Sequence, residues 1–106
     1  MPSIGQDKNG DILLLINGSN ATNRKPSLGF TGREPSDPLG TMQSPQLIVN
    51  GTGVQQNTAN RWGDYASVSL DPTDDCTFLA TGEYIETNGS FNWTTRIATI
   101  KFNTCN

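Results

Sequence analysis

The chain has 106 residues, a formal net charge of −3 and no histidine. The absence of histidine excludes His-dependent acid–base catalysis, Ser-His-Asp and Cys-His nucleophiles, and zinc sites that need imidazole. The scattered Lys and Arg residues predict no nucleic-acid partner, and no apolar run is long enough to span a membrane.

The first half of the chain contains short strand-like segments separated by turn residues. Four strands are predicted, over residues 3–7, 11–17, 26–32 and 46–50. Asn9-Gly10 joins the first two and is typical of a two-residue hairpin turn, because both positions tolerate positive φ. Pro45 precedes the fourth strand and favours an outer edge for it, since proline has no N–H to donate.

A polar loop over residues 51–60 leads to a second series of strands. Three further strands are predicted, over residues 64–71, 76–84 and 91–102. Between the first two of these, Asp74 and Asp75 are expected to cap a turn through their side chains. No stretch of ten residues has a helical apolar pattern free of Gly and Pro, so the chain is predicted to be all-β.

The two halves have the same organisation, with a strand, a turn, an apolar strand, a polar loop and another strand. Ser3-Ile4-x-x-Asp7 matches Ser67-Val68-x-x-Asp71 at the start of each half. Internal repeats of this kind are typical of β-propeller blades. We therefore predict one unit of two four-stranded antiparallel blades, residues 1–58 and 59–106, the second without its outermost strand.

The two cysteines, Cys76 and Cys105, lack the Cys-x-x-Cys spacing of redox motifs and tetrathiolate metal sites. A structural disulfide is predicted, which would enclose a loop of about 30 residues and be worth roughly 3 to 4 kcal/mol. The alternative is two separate buried thiols.

A long run in the second half, Arg61 to Phe78 (RWGDYASVSLDPTDDCTF), resembles the C-terminal end of large exported bacterial proteins with sialidase-like (BNR-type) β-propellers. The resemblance extends to NWTTRI at residues 92–97 and to Lys101-Phe102-x-x-Cys105. Residues 2–10, 32–33 and 37–41 resemble the preceding blade of the same proteins. Leu79 departs from the pattern, because a tryptophan is expected there. The resemblance implies fold far more than activity, and it implies an extracellular or periplasmic location.

The candidate ligand-binding residues are Arg61, Trp62, Asp64 and Tyr65. An aromatic face can cover the apolar side of a sugar ring while Asp and Arg bond its hydroxyls, so this cluster suits a glycan. The alternative is structural: Trp62 and Tyr65 wedge neighbouring blades together, and Arg61 pairs with Asp64. Trp93 is assigned to core or inter-blade packing.

Sialidase-like catalysis would need a tyrosine activated by a glutamate and several arginines that grip a carboxylate. Glu83 and Tyr84 are neighbours on a predicted strand and should point to opposite faces. Four arginines could supply part of a clamp, namely Arg24, Arg33, Arg61 and Arg96. No catalytic residue is predicted.

Asp7-x-Asn9-x-Asp11 has the alternating oxygen ligands of a calcium loop. However, glycine falls at Gly10 rather than at the sixth loop position, and the twelfth position is Gly18 instead of glutamate. We interpret this segment as a solvated hairpin turn and predict no tightly bound metal and no cofactor.

These features predict a non-catalytic β-propeller module that binds carbohydrate and is either a piece of a larger propeller or equivalent to the end of one. The alternatives are an interaction scaffold and a fragment of a secreted sialidase-like glycoside hydrolase. Two blades leave apolar faces and unpaired strand edges, which favour pairing with further copies. A homo-oligomer is therefore expected, with three copies completing a ring of about six blades or four copies a ring of about eight.

Overall fold

The computed structural model describes residues 1–56, 58 and 61–106, which form two antiparallel sheets. The first sheet has the order β1-β2-β3-β4, with β1 Ser3–Gln6, β2 Ile12–Gly18, β3 Ser27–Arg33 and β4 Gln46–Val49. The second has the order β5-β6-β7, with β5 Ser67–Leu70, β6 Phe78–Tyr84 and β7 Thr94–Ile100. The predicted all-β class and the antiparallel sheets of four and three strands are confirmed.

Each sheet is a meander in which consecutive strands are neighbours, as short connections favour. Side chains in β2 alternate between the two faces of its sheet, with Leu13 and Leu15 fully buried and the intervening Leu14 less so. None of the described residues belongs to a helix that could cross a membrane.

The turn between β1 and β2 differs from the predicted two-residue type. Gly10 N–H donates to the Asp7 carbonyl at 3.1 Å, and Asp7 N–H donates to the Asp11 carbonyl at 3.0 Å. Gly10 has a φ of +92°, whereas Asn9 remains at negative φ. The reason is that Asp7 Oδ1 accepts the backbone N–H groups of Asn9 and Asp11, at 2.9 and 3.0 Å. This side-chain bonding favours an Asx-type turn closed by one left-handed glycine.

The strands of the second sheet are shorter than predicted, and local backbone bonding explains two of the differences. β7 begins at Thr94 rather than at residue 91, because Phe91 has a φ of +54°, which is incompatible with a strand. β6 begins at Phe78 rather than at residue 76, because the N–H groups of Cys76 and Thr77 donate to Asp74 Oδ1.

The two sheets pack face to face, with side chains of one sheet lying over glycines of the other. A Cβ atom on Gly82 in β6 would lie 2.5 Å from Leu28 Cδ1 in β3. A Cβ atom on Gly5 in β1 would lie 2.8 Å from Val68 Cγ1 in β5. Leu15, Leu28 and Ala80 form the buried cluster between the sheets. The glycines thus allow a closer approach of the two backbones than any other residue would.

The disulfide between Cys76 and Cys105 is present, with a Cα–Cα distance of 5.6 Å. It ties the segment before β6 to the end of the chain, and both cysteines are buried. The alternative of two separate thiols is therefore wrong.

The connection between the sheets runs beside the segment that follows β6. The N–H groups of Thr52 and Gly53 both donate to the Ile85 carbonyl at 3.0 Å, and Gln55 forms an isolated parallel bridge with Gly89. Residues 57, 59 and 60 of the predicted polar loop lie outside the described residues. The predicted start of the second blade, at residue 59, is one of them.

Gly82→Ala should lower the free energy of unfolding by about 1 to 3 kcal/mol, as overpacking does, because fully buried Leu28 has no room to move away. Gly18→Ala is the matched control, since nothing lies within 4 Å of its Cβ position. Urea unfolding of both variants measures the difference. Equal stability of Gly82→Ala and Gly18→Ala would contradict this packing.

Candidate functional site

The segment 61–65 forms a turn at the surface in which Arg61 and Asp64 make an ion pair. Arg61 Nε donates to Asp64 Oδ2 at 3.1 Å, and the second bond from the guanidinium reaches the same oxygen. The hydrogen bond to Asp64 raises the pKa of Arg61. The predicted pairing of Arg61 with Asp64 is present, so each of these charged groups has a partner within the chain.

Gly63, at the centre of this turn, connects it to both sheets. Its φ is +72°, and its N–H donates to Glu83 Oε2 in β6 at 3.2 Å. A Cβ atom on Gly63 would lie 3.0 Å from the Asn17 side chain in β2. Asn17 Nδ2 in turn donates to the Glu83 carbonyl at 3.0 Å. Buried Glu83 therefore positions the turn.

Trp93, which directly precedes β7, bonds the same turn. Its indole Nε1 donates to the Arg61 carbonyl at 2.8 Å, and its ring packs edge-on against Phe91 with centroids 5.7 Å apart. Trp93 is 37% exposed. Of the two roles predicted for Trp93, the core position is wrong within this chain, because the side chain is partly exposed and its indole N–H has its acceptor at the surface. Inter-blade packing of Trp93 stays a prediction.

The two aromatic residues of the predicted site have different surroundings. Trp62 is half-buried, whereas Tyr65 is 80% exposed. Tyr65 is therefore not a wedge between the two sheets. It lines an open hollow of about 340 Å³ together with Asp64, Ala66, Ser67 and Thr81. An exposed phenol ring next to a carboxylate is chemically able to stack on a ligand and to hydrogen-bond it.

The arginines considered for a carboxylate clamp each have a different partner. Arg24 donates to Asn50 Oδ1 at 2.9 Å, and Arg33 donates to the carbonyls of residues 34 and 37. The Arg96 guanidinium lies over the Tyr84 ring, 5.7 Å from its centroid. Together with the Arg61–Asp64 pair, these contacts leave the four guanidinium groups engaged separately rather than directed at one point.

The acidic turn before β6 is held by Asp74 and Asp71. Asp74 accepts the N–H groups of Cys76 and Thr77 and the Thr77 hydroxyl, and these bonds lower the pKa of Asp74 to about 2. Asp71 Oδ1 accepts from Thr73 N–H and Oγ1. The predicted capping role is confirmed for Asp74. Asp75 instead adopts a left-handed φ of +55° in this turn, and its backbone N–H donates to the Asp71 carbonyl.

The chain matches no protein-family model, no curated protein and no solved structure. Function is therefore inferred from the residues and contacts of this chain alone. Two open surfaces are candidates for binding: the hollow beside Tyr65, and the outer face of the first sheet, where Ile4 and Leu47 are exposed.

Proposed function

We propose that the chain is a non-catalytic assembly module of the β-propeller type, in which the two sheets are adjacent blades. The meander order of each sheet and their face-to-face packing support this assignment. The first strands of the two sheets are also neighbours, since Val68 N–H in β5 donates to Ser3 Oγ in β1 at 3.0 Å. In a propeller the first strands of successive blades lie side by side around the centre.

The observation that carries the proposal is the open apolar face of the first sheet. Ile4 in β1 is 63% exposed and Leu47 in β4 is 46% exposed. The β2 residues that share this face are half-buried and equally apolar, namely Ile12, Leu14 and Ile16. A contiguous apolar surface of this kind is typical of an interaction site.

The outer face of the second sheet also carries exposed apolar side chains. Leu79 in β6 and Ile97 in β7 are exposed there, on a face otherwise rich in Ser and Thr. The inner face of the first sheet already packs on the inner face of the second. If the next copy continues this sheet-on-sheet packing, the outer face of the second sheet contacts the outer face of the first sheet of that copy. Such a head-to-tail contact closes into a ring when the rotation allows it, with three or four copies giving about six or eight blades.

Ile4→Asp should dissociate the assembly, because it puts a charge in the contact without disturbing the inner core. Light scattering measures the mass, with a multiple of 11.4 kDa expected for the wild type and 11.4 kDa for the variant. Leu39→Asp is the control, since Leu39 is equally apolar, 93% exposed and outside both sheets. A wild-type chain that stays monomeric would contradict the proposal.

A second candidate function is carbohydrate binding at the hollow beside Tyr65. The exposed ring of Tyr65 supplies a stacking surface, and Asp64 and the hydroxyls of Ser67 and Thr81 supply hydrogen-bond partners. Trp62 is half-buried and does not line this hollow. The separate engagement of the four arginines disfavours the alternative of a sialidase-like hydrolase fragment, and the disulfide favours an oxidising, extracellular location.

Tyr65→Ala should abolish glycan binding and leave the melting temperature unchanged, because an exposed ring contributes little to folding. Trp62→Ala, the comparison variant, should lower the stability by about 2 kcal/mol, less than a fully buried tryptophan would. A glycan array and thermal melts measure both effects. Undiminished glycan binding by Tyr65→Ala, or no glycan binding by the wild type, would refute the carbohydrate proposal and leave the assembly proposal standing.

A further inference from the structure

The turn between β1 and β2 encloses two buried carboxylates. Asp7 is 6% exposed and Asp11 is fully buried. The predicted solvated turn is therefore wrong for these two residues, although Lys8 and Asn9 between them are exposed. One carboxylate oxygen of each aspartate and the Cys105 sulfur lie within 4.8 Å of one another.

Half of the oxygens of this carboxylate pair have hydrogen-bond donors. Asp7 Oδ1 accepts two backbone N–H groups of the turn. Asp11 Oδ2 accepts from Asn9 Nδ2 at 3.2 Å and from the Thr104 hydroxyl at 2.9 Å. Asp7 Oδ2 and Asp11 Oδ1 are buried without any hydrogen-bond partner. An unpartnered buried carboxylate oxygen is costly, so this pair needs a ligand of opposite charge.

No side-chain cation fills that role in the described part of the chain, where the ion pair is Arg61–Asp64. A single shared proton would leave one net negative charge buried, whereas a divalent cation would neutralise both carboxylates.

We propose that Asp7 and Asp11 bind a divalent cation of the calcium type in the β1–β2 turn. The charged donors are all oxygens, because Cys105 is in a disulfide and offers no thiolate, and a hard cation prefers oxygen ligands. Asn9, between the two aspartates, gives the one-three-five oxygen spacing of a calcium loop. Asn9 is exposed at the tip of the turn.

Titration calorimetry with the full chain, first stripped with a chelator and then given Ca²⁺ up to about 5 mM, tests the site directly. This range covers the weak affinities typical of extracellular calcium modules. One bound ion per chain and a rise in melting temperature of about 5 °C are expected. No heat of binding and no thermal shift would overturn the proposal and assign a shared proton to the pair.

Asp11→Asn and Asp7→Asn locate the site. Each should remove the Ca²⁺-dependent shift, and each should equal or exceed the wild-type stability in chelator because one buried charge is gone. Asp75→Asn is the matched control, since its carboxylate is exposed and asparagine tolerates the same positive φ.

Retention of calcium binding by both turn variants would overturn the proposal. If a variant fails to fold, amide spectra of the wild type during the Ca²⁺ titration decide instead. Shifts centred on residues 7–11 and on Thr104 are expected, and shifts centred elsewhere would overturn it.

Discussion

The close approach of the two sheets depends on glycines that lie beneath side chains of the opposite sheet. Leu28 occupies the space above Gly82, and Val68 and Phe78 occupy the space above Gly5. A chain in which Leu, Ile, Val and Phe make up about a fifth of the residues has little apolar material. Close contact over glycine lets these few side chains bury themselves almost completely, as Leu28 and Phe78 do. The outer faces of both sheets are therefore backed by this inner contact.

The end of the chain reinforces the same contact from outside the sheets. The Thr104 hydroxyl bonds Asp11 in the first turn, and the neighbouring Cys105 is linked to Cys76. Lys8 N–H donates to the Asp75 carbonyl at 3.0 Å, so the turns of the two sheets are joined directly. Bound calcium at Asp7 and Asp11 would act on this junction, where both turns and the chain end meet.

The strands and their order could be predicted from the sequence because alternation and turn residues are local signals. Their ends could not, since they depend on single backbone angles such as that of Phe91 and on the side-chain bonding of Asp74. The Arg61–Asp64 pair was predictable at a spacing of three residues. The hydrogen bonds from Trp93 to Arg61 and from Thr104 to Asp11 join residues that are far apart in sequence. No local pattern indicates them.

Native-state hydrogen exchange tests most directly whether the two sheets are one cooperative unit. The slowest amides of β2 and β3 in the first sheet and of β6 in the second should share one free energy of opening. They should also share one dependence on denaturant, since neither sheet retains its core once the glycine contacts are lost. Two distinct free energies, with one sheet opening while the other stays protected, would contradict this account.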